Sequence, residues 1–161
     1  MAVHYDRGVK VRLCLITLLL CLTAAAQQQS DAQPDPWKSS ELIAPAQLAV
    51  ELKTHDPARH ILYVGFPILY KGAHIPTAVM AGPCSKQEAV DRLSDELKDE
   101  PKDAEVVIYC GCCPFVRCPN IRPAYKALKA LGYSNIKVLQ LTTNLHTDWV
   151  EKGYPADAST K

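Results

Sequence analysis

Three short apolar runs, each followed by a helical pattern, constrain the fold more than any other feature of this chain. They are "ILYVGF" (61–66), "AEVVIY" (104–109) and "IKVLQL" (136–141). None alternates strictly between apolar and polar residues, so each reads as a strand covered on both faces. Strands of that kind alternating with helices predict an α/β fold with a parallel sheet. "ELI" (41–43) and the segment 77–80 add two shorter strand candidates.

The helical signals sit between these runs. Pro45 is placed to open a helix carrying Leu48, Val50 and Leu52. Ser85-x-x-Glu88 forms a capping box ahead of a stripe of Ala89, Leu93 and Leu97, with Pro101 beyond its end. "NIRPAYKALKALG" (120–132) predicts a helix with Asn120 as N-cap, Pro123 at N3 and Gly132 as its C-terminal stop. "NLHTDWVEKG" (144–153) predicts a short helix with Leu145 and Trp149 inward and Gly153 closing it. "YKGAHIPTAVMAG" (70–82) reads as a loop leading into a short strand, with His74 as a hydrogen-bonding loop residue.

The N-terminus has a different character. Arg7, Lys10 and Arg12 precede the apolar "LCLITLLLCL", and Ala24-Ala25-Ala26 is followed by polar Gln27. That is the layout of a secretory signal peptide over residues 1–26, with an apolar run short of the ~20 residues of a membrane span. The expected product is an exported chain, periplasmic or secreted, with no stable membrane span after cleavage. Residues 27–39 are polar and Pro-containing and read as a flexible lead-in to a single domain over 40–158, with Trp37 anchoring its end. The whole chain has 18 basic and 17 acidic residues, and removing the leader leaves the charge nearly balanced. No nucleic-acid partner is expected from such a chain.

Cleavage would remove Cys14 and Cys21 of the seven cysteines and leave Cys84, Cys110, Cys112, Cys113 and Cys118. An odd number, with four in one loop, is a site rather than a distributed disulfide framework. The loop begins at the carboxyl end of "EVVIY", where parallel sheets place ligands. A thiol at such a position is favoured as thiolate by a helix start and by cations. Gly111, which lets the backbone turn, and Arg117 and Arg122, close in sequence, are candidate anion-binding residues.

The chain resembles a rhodanese-like domain, the single-domain sulfurtransferase family. "GAHIPTAVM" is similar to the family's "GHIPGA" segment, and "VVIYC" to the strand that delivers its cysteine. "AYKALKALGYSNIKVLQL" resembles the helix, turn and strand that follow, and "DWVEKGYP" the closing Trp helix. The resemblance covers roughly residues 40 to 155. It implies a five-stranded, mostly parallel sheet with helices on both faces, and sulfane sulfur moving from a donor such as thiosulfate to a thiophilic acceptor through a persulfide on Cys110. The implied partners are a small sulfur-containing substrate or a protein thiol, and no cofactor is implied. The chain departs from the family pattern in three places. Its cysteine loop carries about four or five extra residues. "YVGF" stands where Asp-x-Arg commonly ends the second strand. "TTN" replaces a Gly-Gly before the Trp helix.

The extra thiols leave other readings open. Neighbouring Cys112 and Cys113 make a strained disulfide, so Cys118 is the natural partner for one of them in a structural bridge. Alternatively one of these thiols resolves a persulfide or sulfenic acid on Cys110. Cys110-Gly-Cys-Cys113 is also a C-x-x-C, so a thiol-disulfide redox protein is one alternative and a non-catalytic binding module of the same fold another. Structural zinc is not expected, since there is no second C-x-x-C and His74 and His146 are distant in sequence. Cys84 reads as an unpaired or buried thiol.

Overall fold

The computed structural model describes residues 34–54 and 59–158. The expected signal peptide and most of the lead-in lie outside the described residues. Among the described residues no helix is long and apolar enough to cross a membrane.

Five strands form one sheet: β1 (Leu42–Ile43), β2 (Arg59–Tyr63), β3 (Val79–Met80), β4 (Glu105–Tyr109) and β5 (Ile136–Leu139). Their order across the sheet is β1-β5-β4-β2-β3, and every pairing is parallel. β4 and β2 are central and pair over five residues, from Arg59 opposite Glu105 to Tyr63 opposite Tyr109. The helices are α1 (Pro45–Glu51), α2 (Pro67–Gly72), α3 (Gln87–Glu96) and α4 (Ile121–Ala130), followed by a π-helical turn, His146–Val150.

The pleat of the central strands divides the core into two layers. Along β4, Val106 and Ile108 pack with Leu93, Leu97, Ile121 and Leu128, whereas Val107 and Tyr109 pack with Leu48, Ile75, Leu145 and Trp149. Successive side chains leave a strand on opposite faces, and here both faces are covered, which is why the run "VVIY" carries no polar residue. The same alternation sends Leu62 and Val64 of β2 to the first layer and Ile61 and Tyr63 to the second. Cys110, one step beyond β4, therefore falls on the α3–α4 side with Val106 and Ile108.

Several local details differ from the expectations. Pro67–Gly72 is a helix with Pro67 in its first turn, although residues 70–72 are expected in a loop and no element is expected at 67–69. It has no buried residue, so no apolar stripe announces it. The Ser85 capping box does not form: α3 begins at Gln87 with Lys86 at the N-cap and no side-chain cap. Val50 on α1 is 61% exposed, and only Leu48 and Ala49 of that helix are buried. Trp37 is a core residue against Phe115 and Tyr125, with ring centroids 6.1 Å and 5.8 Å away. Packing thus begins ahead of Ser40.

Candidate active site

β4 ends at Tyr109, and Cys110 follows with its side chain fully buried. The loop then runs through Gly111, Cys112 and Cys113 to a 3-10 turn, Phe115–Arg117, and on through Cys118 and Asn120 to α4. Two backbone bonds pin it: Leu145 N–H donates to the Gly111 carbonyl at 3.2 Å, and Phe115 N–H donates to the Leu141 carbonyl at 2.9 Å. Phe115 packs against Trp37, so the ring from the lead-in holds the far side of the loop.

Around the Cys110 sulfur the groups are donors. Asn120 Nδ2 donates to it from 3.7 Å, and the Cys118 sulfur lies within 4.8 Å of it. The Cys112 Sγ lies 3.4 Å away. A sulfur facing hydrogen-bond donors is stabilised as thiolate, and this outweighs the cost of burial. The Cys118 thiol leads that balance, and Cys110 is lowered to about 6. Cys118 is shifted the opposite way, raised first by its interaction with Cys110 and then by burial. Cys112 is raised by burial, by its contact with Cys113 and by the charge on Cys110. The balance thus favours the anion on Cys110 and the proton on Cys112 and Cys118.

Asn120 organises this arrangement. It is a fully buried polar residue whose Oδ1 accepts the Ser85 N–H at 3.1 Å while its Nδ2 faces Cys110. It stands at the N-cap position of α4 but makes no side-chain cap. Both ends of its amide are used to join the 84–85 turn to the thiolate, which explains why the Ser85 box is not made. The Cys84 thiol is part of the same buried layer, and burial raises it to about 12.

Gly65 is a further residue at the site that the sequence reading passed over. A Cβ there would lie 2.9 Å from Cys110 Sγ and 2.6 Å from Tyr63 Oη. The backbone of the segment after β2 passes directly over the sulfur, and only glycine leaves the room. This is the "YVGF" segment, in which charged residues are replaced by close backbone approach. Its signal in the sequence is a glycine just past an apolar run, which has several ordinary explanations.

The three candidate anion-binding residues are placed differently from one another. Gly111 adjoins Cys110, yet its φ is not positive. It is small because a Cβ would meet Leu145 Cβ at 3.2 Å, so packing rather than a sharp turn calls for it. Arg117 is exposed. Arg122 donates to the Asp35 carboxylate and lies 5.5 Å over the Trp37 ring, with its Nε buried and unpaired. Its charge is engaged in fastening the segment around Trp37. His74 stacks on Tyr70 with ring centroids 3.9 Å apart, and its Nδ1 lies 2.9 Å from the Tyr70 carbonyl.

None of the five described cysteines is in a disulfide. Cys112 and Cys113 have their sulfurs 3.0 Å apart, while Cys118 is buried against Cys110. The Cys110, Cys112 and Cys118 sulfurs lie within 4.8 Å of one another, a spacing able to hold a soft metal ion. Beside Gly111, on the other face, is a cleft of about 330 Å³ lined in part by Ile68, Leu69, Leu145 and Val150.

No protein-family model matches the sequence, and no curated protein matches it. Solved structures do match. The BH2092 protein of Bacillus halodurans aligns over 74% of this chain and 78% of its own, with 20% identity and a TM-score of 0.58. The rhodanese-like domain of an Anabaena protein aligns over 73% of this chain and 79% of its own, with 24% identity and a TM-score of 0.54. A thiosulfate sulfurtransferase of Pseudomonas aeruginosa aligns over 78% of this chain but 20% of its own, with 23% identity and a TM-score of 0.55. Together with the five-stranded parallel sheet and a cysteine loop at the end of its central strand, these likenesses identify the fold of this chain as rhodanese-like.

Proposed function

We propose that the protein is a sulfurtransferase in which Cys110 takes sulfane sulfur from a donor such as thiosulfate and passes it on through a persulfide. The observation that carries this reading is the Cys110 sulfur itself, fully buried at a strand end with Asn120 Nδ2 at 3.7 Å and the Cys112 sulfur at 3.4 Å, surroundings that favour its thiolate. Attack on thiosulfate forms the Cys110 S–S bond and breaks the bond to sulfite, which leaves with its electron pair. The burial of Cys110 favours a small donor over a bulky one.

The direct test is thiocyanate formation from thiosulfate and excess cyanide. The reading expects turnover by the intact protein and none by Cys110→Ser. Turnover that survives Cys110→Ser would reject Cys110 as the nucleophile, and no turnover with any sulfane donor would favour a non-catalytic module. The leader-like residues 1–26 support export as the chain's destination. N-terminal sequencing of the protein recovered from producing cells checks that, with a start at Gln27 as the expected result.

A further inference from the structure

The proposed function leaves open what accepts the sulfur, and it gives the Cys112 thiol no chemical step. We infer that the acceptor is built into the chain: Cys112 resolves the Cys110 persulfide, releasing hydrosulfide and leaving a Cys110–Cys112 disulfide for an external dithiol to reduce. This inference rests on the persulfide reading and extends it.

Three observations support it. The Cys112 sulfur is 3.4 Å from the Cys110 sulfur. That atom becomes the inner sulfur of a persulfide, so Cys112 already touches the atom whose attack expels the outer one. Cys110 is fully buried while Cys112 and Cys113 are half-buried, so any acceptor larger than a small anion meets Cys112 and Cys113 first. The loop also holds Cys112 against Cys113 at 3.0 Å, which keeps its sulfur beside Cys110 rather than turned to solvent.

The step balances without an added oxidant. The Cys112 sulfur attacks the Cys110 Sγ, a new S–S bond forms between the cysteines, and the bond to the outer sulfur breaks. The outer sulfur leaves with the electron pair and takes the Cys112 thiol proton, giving hydrosulfide. The sulfane sulfur is reduced by two electrons, and the two cysteines are together oxidised by two. A dithiol then attacks the Cys112 sulfur, the more accessible half of the disulfide. It returns both cysteines to thiols and is itself oxidised to a disulfide. The class of reaction that must follow is therefore a dithiol-dependent reduction, and the product delivered is hydrosulfide.

The experiment is a single turnover with thiosulfate in the absence of reductant, reading sulfite, hydrosulfide and intact mass together. The intact protein is expected to release sulfite and hydrosulfide in equal amounts, to lose ~2 Da, and to yield a Cys110–Cys112 linked peptide. Cys112→Ser and Cys112→Ala are expected to release sulfite more slowly, to release no hydrosulfide, and to gain ~32 Da. Sulfite without hydrosulfide from the intact protein, with the added sulfur retained, overturns the inference and leaves the persulfide reading standing. Hydrosulfide undiminished in both Cys112 variants also overturns it. No sulfite from the intact protein overturns the persulfide reading and the inference with it. If neither variant folds, the linked peptide in the intact protein decides: a Cys110–Cys112 bridge supports the inference, and any other bridge refutes it.

Discussion

Asn120→Ala is the substitution that most sharply separates an organised thiolate from a merely buried thiol. Two things are lost with the amide. The Ser85 N–H loses its acceptor at 3.1 Å, and Cys110 loses a donor at 3.7 Å. An unpaired buried donor costs about 1–3 kcal/mol of stability. A hydrogen bond to a charged group contributes about 1.5–3 kcal/mol, and a long N–S contact takes the lower end. At 1.36 kcal/mol per pKa unit that is a shift of roughly one unit. Cys110 should move up from about 6, because loss of a donor to the anion favours the thiol. Since the thiolate is the reactive form, reactivity falls as pH drops through the pKa and is flat above it. Alkylation of the Cys110 peptide, followed across pH by mass spectrometry, should then be roughly fivefold slower at pH 6 and nearly unchanged at pH 8.5. Normalising each profile to its plateau removes differences in access. A protein that is destabilised while its profile stays in place would refute the account of the thiolate and reduce Asn120 to a brace between two loops.

Other consequences follow from contacts already described. Gly65→Ala puts a methyl 2.9 Å from Cys110 Sγ and should cost about 1–3 kcal/mol by overpacking, with slower Cys110 alkylation; denaturant unfolding and the same peptide map check both. Trp37→Ala removes the ring that backs Phe115 and Tyr125 and should cost about 3–5 kcal/mol in thermal or denaturant unfolding. Cys84, raised to about 12 by burial, should alkylate far more slowly than Cys110 near neutral pH and react fully only on unfolding, as the same peptide map checks.

Much of this fold was legible in the sequence because burial on both faces leaves a plain mark. The runs around Ile61, Val106 and Ile136 could not be half-exposed strands, and the stripe of Ala89, Leu93 and Leu97 is fully buried. Gly132 and Gly153 adopt positive φ where they were expected to stop helices. Elements without a buried stripe left no such mark, and Pro67–Gly72 went unread for that reason. In the cysteine loop, spacing alone brought the four thiols to a strand end, but it could not show which sulfur receives the hydrogen bonds. That depends on Asn120, whose residue type and position fit an N-cap equally well. A local capping motif was outcompeted by a contact between residues 35 positions apart, Ser85 and Asn120. The role of Gly65 likewise exists only once β2 and β4 are paired.

The central claim is that sulfur is carried on Cys110, and the most direct measurement maps where thiosulfate leaves its sulfur. The Cys112→Ser protein, pulsed briefly with thiosulfate, alkylated and digested, should carry one extra sulfur, ~32 Da, on the peptide containing Cys110. Added sulfur on Cys84, Cys113 or Cys118 with Cys110 unmodified would contradict the account, as would no added sulfur at all.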